Sequence, residues 1–179
     1  MALGIAGGAA IVATFAAGSA AFSQERDGLG HATPSRFAAR LLDAHNVERR
    51  RVGVPDLRWS AKLAAEAQAY AVKLAARQRL VHASRAERDE AGENLWAGTA
   101  GLYSAEQIVG TMIAEKRDFE PGVFPQVSRT GAWRDVGHYT QIIWRETRDV
   151  GCAVVPGGGQ DWVVCRYWPA GNIYGQRVL

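Results

Sequence analysis

Cysteine is scarce in this sequence: 179 residues hold two, Cys152 and Cys165. No CxxC pair exists, which removes the usual spacing of a structural zinc site. Nor is there an HExxH or GxSxG motif, so the local signatures of a zincin or of a nucleophile elbow are missing. No basic run is interleaved with aromatics. The 21 Lys and Arg are interspersed with 18 Asp and Glu, and net charge is only +3. That balance argues against nucleic-acid binding. There are no internal repeats, and beyond Ser23 no stretch is apolar enough to cross a bilayer.

What is present starts with an uncharged N-terminus. Met1 to Ser23 carries no charged side chain and is rich in alanine and glycine, and Glu25-Arg26-Asp27 ends it. Ser19-Ala20-Ala21 and Ala21-Phe22-Ser23 offer small residues at the spacing a signal peptidase accepts. Residues 1–23 are therefore expected to be a secretory signal, although no Lys or Arg precedes the apolar run; a retained membrane anchor is the alternative. Residues 24–34 are polar and glycine-bearing, the composition of a disordered lead-in. A secreted location follows, extracellular or periplasmic. Residues 35–179 are long enough for one domain with a sizeable core.

Within that domain the apolar pattern predicts three helices, then a hairpin. Ser35 caps a helix over 36–50, with Phe37, Leu41, Ala44 and Val47 at helical spacing. Ser60 caps a second over 61–79, whose stripe is Leu63, Ala67, Tyr70 and Leu74. Ser104 with Gln107 forms a capping box for a third, running to about 119. Glu93-Asn94-Leu95-Trp96 is short and partly apolar, and 120–134 reads as loop. His138 opens a short amphipathic segment in which it shares a face with Ile142. Residues 150–155 and 162–168 read as strands joined by a loop at 156–161. Folding them about Gly158-Gly159 sets 152 opposite 165 and 154 opposite 163, close enough for a Cys152–Cys165 disulfide. Two buried free thiols are the alternative. Helices come first and clear strands last, so the class is α+β.

One helix carries an anomaly. Glu115 falls inside the apolar stripe of Ile108, Met112 and Phe119. A buried carboxylate needs a partner. Glu93 is a second acid in an apolar setting, and His82 and His138 are two imidazoles. Such a set can ligate a cation or do acid–base work. The four residues lie on separate elements, so spacing alone does not bring them together.

Gly137-His138-Tyr139-Thr140-Gln141-Ile142-Ile143-Trp144 and Val164-Cys165-Arg166-Tyr167-Trp168-Pro169-Ala170-Gly171-Asn172 resemble the two long signatures of the CAP superfamily. Its members are cysteine-rich secretory proteins, venom antigens and plant pathogenesis-related proteins. His45-Asn46, Trp59 and Gly92-Glu93-Asn94-Leu95 are similar too, and the likeness spans about 35–175. The resemblance implies a three-layer α–β–α sandwich with a central cleft. The family's cleft tetrad falls on His82, Glu93, Glu115 and His138, with Tyr139 and Gln141 as nearby supports. In some relatives the two histidines hold zinc or another divalent cation. Small hydrophobic ligands and extracellular proteins are the implied partners. The expected function is that of a secreted binding module with no defined turnover. A purely structural tetrad ranks second. A weak metal-dependent hydrolase ranks third, with Glu93 or Glu115 as catalytic base. The chain also departs from the family. Plant relatives carry six cysteines, and Gln78 and Val136 stand where relatives often have one. Met112 and Phe119 replace a frequent tryptophan and tyrosine. The stretches 83–91 and 120–134 differ in length and charge.

Overall fold

The computed structural model describes residues 35–179; the expected signal and lead-in lie outside them. Helix α1 is Arg36–Arg51, with the Ser35 hydroxyl accepting from Ala38 N as the spacing predicts. Then come β1 (Arg58–Trp59), α2 (Ala61–Arg77), β2 (Gly92–Thr99), α3 (Ala105–Ile113), α4 (Gly137–Ile142), β3 (Asp149–Gly157) and β4 (Gln160–Trp168). The four strands form one sheet in the order β1-β3-β4-β2. Strands β3 and β4 are antiparallel, as are β4 and β2, while β1 pairs parallel to β3.

Strand β4 separates the layers by the period-two rule. Val163, Cys165 and Tyr167 face the core that includes Leu41 of α1 and Ile108 and Met112 of α3. Trp162 and Val164 face Ala67, Tyr70 and Leu74 of α2. The result is a helix–sheet–helix sandwich, α2 on one face and α1, α3 and α4 on the other. The 169–179 segment also packs inward, and Val178 is fully buried.

The hairpin register is the expected one: Cys152 opposes Cys165 and Val154 opposes Val163. The cysteines are joined, with Cα atoms 4.1 Å apart. The loop is shorter than the expected 156–161. Gly158 and Gly159 both have positive φ (60° and 79°), which makes a two-residue turn matched to strand twist and lets pairing run on to Gly157 and Gln160.

Two other expectations change, and one strand is new. Helix α3 stops at Ile113 instead of about 119, and 114–117 wind as a 3₁₀ turn. Glu115 lies within that turn. Its carboxylate there accepts from the first N–H groups of α4. The segment at Glu93 is an eight-residue strand, because β4 offers β2 a partner at every position from Tyr167 to Gln160. Strand β1, which lacks a period-two pattern long enough to read, follows from its pairing with β3.

Two buried polar side chains of α1 tie the layers together. Arg49 is fully buried and donates to four carbonyls. Nε reaches Pro55 O, Nη1 reaches Ile142 O and Trp144 O, and Nη2 reaches Thr147 O, at 2.6–3.0 Å. Burial pushes its pKa down to about 10, so it stays charged at neutral pH. His45 donates Nδ1–H to Leu41 O (2.7 Å), and its Nε2 accepts from the Tyr167 hydroxyl (2.8 Å). Burial lowers the His45 pKa to about 4, an effect opposed by the Leu41 carbonyl and reinforced by Arg49.

The His45 shift sets a pH dependence. The unfolded imidazole takes up its proton near pH 6.5, while the folded one stays neutral down to about 4. Stability from this residue is therefore complete above pH 6.5 and is lost as pH falls through that window, by about 3 kcal/mol in all. Urea unfolding at pH 7 and 4.5 should show a smaller loss in His45→Gln than in the parent. For the disulfide, Cys165→Ala should cost roughly 2–5 kcal/mol in the same assay. Non-reduced peptide mapping of the parent should recover Cys152 linked to Cys165.

Candidate functional site

A cavity of about 450 Å³ opens where the start of β2, the start of α4 and the 170–173 segment meet. His82, Glu93 and His138 line it, with Asn94 and Gln141 at its floor. The structure thus brings three of the four tetrad residues to one wall-to-wall space. Glu115 stands behind His138.

Each histidine is held by its own carboxylate. His82 Nδ1 lies 2.6 Å from Glu93 Oε1, which also accepts from Ala83 N at 3.1 Å. The His82 side chain is 59% exposed, whereas that of Glu93 is wholly buried. Arg166 Nη2 stands 3.1 Å from Glu93 Oε2, close enough for an ion pair but off the angle of a hydrogen bond. That guanidinium also lies 5.0 Å from the Tyr70 ring centroid, and burial lowers its pKa against the pull of Glu93. On the other side, His138 Nδ1 lies 2.6 Å from Glu115 Oε1. Glu115 Oε2 accepts from the backbone N–H of His138 (3.0 Å) and of Tyr139 (3.1 Å). With Nδ1–H donated to a carboxylate, the neutral form of each ring keeps its lone pair on Nε2. A histidine that ligates a metal through one nitrogen commonly donates its other ring N–H to a carboxylate, which fixes the ring's orientation. Imidazoles oriented by carboxylates in this way are donor types that a divalent ion accepts. Among the described residues no three His, Cys, Asp or Glu side chains gather around one point.

The supports differ in kind. Gln141 lines the cavity and takes Gly171 N on Oε1 at 3.0 Å. A Cβ on Gly92 would sit 2.1 Å from that same oxygen, so only glycine lets β2 start this close. Tyr139 contributes its backbone N–H, but its side chain points away from the cleft. Its hydroxyl donates to Glu48 at 3.1 Å, and burial together with Glu48 holds its pKa well above the usual phenol. Asn94 was visible only as part of Gly92-Glu93-Asn94-Leu95. Its Nδ2 donates to His138 O (3.1 Å) and to the Tyr167 hydroxyl (3.2 Å). It thereby links the His45 network to the main chain of the site. Arg85, Arg88 and Arg134, which no motif picked out, also line the cavity.

Fold and cleft together define an α–β–α sandwich of the CAP type, bearing two histidine–glutamate pairs from four separate elements. The chain belongs to the cysteine-rich secretory protein family (CAP), whose family model matches residues 42–167. It is 41% identical over 137 residues to pathogenesis-related protein 1B of Nicotiana tabacum, covering 75% of this chain and 76% of that one. It is 35% identical over 166 residues to secreted protein RBT4 of Candida albicans, covering 91% of this chain and 42% of that one. Among solved structures, NaASP2 crystallised with Zn²⁺ superposes with a TM-score of 0.67 at 23% identity, over 81% of this chain and 88% of that one.

Glu115 accepts from three N–H groups, two of them backbone. An amide there turns an NH₂ toward at least one of those donors. Glu115→Gln should therefore lower the stability of the protein in EDTA by about 1–3 kcal/mol. Denaturant unfolding measures this, and an unchanged midpoint would mean that the carboxylate is not what orders the start of α4.

Proposed function

We propose that this chain is an exported binding module whose cleft takes a divalent cation weakly at His82 and His138, without defined turnover. One observation carries the reading. Both imidazoles line one cavity while a buried or half-buried carboxylate engages Nδ1 of each ring, which leaves Nε2 as the ring nitrogen free for a ligand. Neutral imidazole suits zinc, and the two carboxylates offset its charge without occupying its coordination sphere. Two protein ligands leave two of zinc's four usual positions to water or to a second ligand, which fits modest affinity. Export agrees with the uncharged N-terminal stretch and with the name of one relative, secreted protein RBT4. No helix among the described residues is long and apolar enough to cross a membrane.

The purely structural tetrad is the second reading, favoured by the fact that each pair is already hydrogen-bonded. A hydrolase ranks third. It would need one carboxylate free to take a proton from bound water. Glu115 instead accepts three N–H groups, and Glu93 is engaged by His82, Ala83 and Arg166.

Titration calorimetry with zinc on the metal-free protein tests the cation. The parent should bind at neutral pH. His82→Ala and His138→Ala should each lose most of the affinity while keeping the parent's circular dichroism. Binding should fade on acidification, because a protonated ring has no lone pair to give. A parent that binds no zinc at neutral pH would leave the structural tetrad as the function of these residues.

A further inference from the structure

The cavity carries a charge imbalance that the histidine pairs do not use. Besides the imidazoles, its ionisable lining side chains are Arg85, Arg88, Arg134, Glu90 and Glu93. Both acids are engaged. Glu90 meets Arg85 at 2.5 Å, and Glu93 is shared between His82 and the buried Arg166. Arg88 and Arg134 form no ion pair among the described residues. Arg88 gives Nη1 to Ala91 O (2.5 Å), but its Nε is buried without a hydrogen-bond partner. Arg134 lies with its guanidinium 4.9 Å from the ring centroid of Trp133, which also lines the cavity. Behind Glu93, Arg166 keeps Nε and Nη1 without partners as well. Arginines thus outnumber acids along the cleft, and both lining acids are already in ion pairs.

A small oxyanion answers that imbalance. Guanidinium forks match the geometry of phosphate and carboxylate oxygens, and hydrogen bonds between charged groups are the strong kind. Arg166 and His82 hold the negative charge of Glu93 in check, so an anion entering the cleft meets little opposing charge. The Trp133 ring gives a flat apolar surface beside Arg134. The volume suits a small organic molecule. Arg88 and Arg134 also come from, or border, the two stretches that set this chain apart, 83–91 and 120–134. We propose that the cleft binds a small aromatic or apolar oxyanion, a phosphate ester or a carboxylate, gripped by Arg88 and Arg134 beside Trp133. This rests on the cleft being a ligand site, and it is independent of the cation.

Titration calorimetry in EDTA at neutral pH, with phenyl phosphate, benzoate and benzyl alcohol, tests it. At least one of the two anions should bind, the alcohol should not, and affinity should fall as salt is raised. Tighter phenyl phosphate assigns the site to phosphate esters, and tighter benzoate assigns it to carboxylates. Arg88→Gln and Arg134→Gln should each weaken the better anion by about tenfold, the loss expected for one charged hydrogen-bond partner. Arg145→Gln, outside the cavity, should not. Arg88 also supports Ala91, so circular dichroism is checked on each variant, and Arg134→Gln decides alone if Arg88→Gln does not fold. Three results overturn the proposal: no binding of either anion by the parent, equal binding of benzyl alcohol, or undiminished binding by a folded Arg134→Gln. EDTA removes the cation, so such a failure leaves the zinc titration untouched. A failed zinc titration likewise leaves this site standing.

Discussion

Arg49 holds the end of α4, and α4 holds the site. The guanidinium is fully buried, and its three nitrogens donate to Pro55, Ile142, Trp144 and Thr147. A cation under the carbonyls that close a helix is favourable by the helix dipole as well as by the hydrogen bonds. Burying a charge is expensive unless such partners surround it, and here the backbone supplies them in place of a counter-ion. Lysine would bring one point charge where a planar fork spans several carbonyls. The other end of α4 is fixed by Glu115 through the N–H groups of His138 and Tyr139. A helix of only six residues is thus pinned at both ends by side chains from elsewhere, which short helices need because propensity alone does not sustain them.

The parts of the fold legible in the sequence were those governed by local rules. Ser35, Ser60 and the Ser104–Gln107 box mark helix starts because a hydroxyl satisfies an N–H three residues on. The pairing of Cys152 with Cys165 follows from counting outward from a glycine turn. Helix α3 was read too long because Ile108, Met112, Glu115 and Phe119 keep helical spacing. It ends where 114–117 tighten into a 3₁₀ turn, and there Glu115 accepts from the first turn of α4. The eight-residue β2 was hidden by Gly92 and Gly98, which weaken a strand pattern, and it exists because β4 lies beside it.

The same division holds in the cleft. Glu115 declared itself as an acid in an apolar stripe, whereas Glu93 and the two histidines were joined to it by resemblance. Nothing local announces that Asn94 bridges the His138 carbonyl to Tyr167, or that His45 completes the chain from α1. Those links run between residues more than forty positions apart, and a polar residue gives no sign in sequence of which distant partner will satisfy it. The cavity arginines escaped notice for the opposite reason, since charged residues in loops normally face water.

The two histidine–glutamate pairs share a cavity but no atom. His82–Glu93 is tied to the sheet through Arg166, and His138–Glu115 is tied to α4 through backbone N–H groups. Each half-site is consequently a separable unit. Erasing the chemistry of one leaves the other with its anchor intact. Such a cleft can be retuned one wall at a time over evolution, exchanging a ring or a loop on one side while the opposite wall keeps its shape.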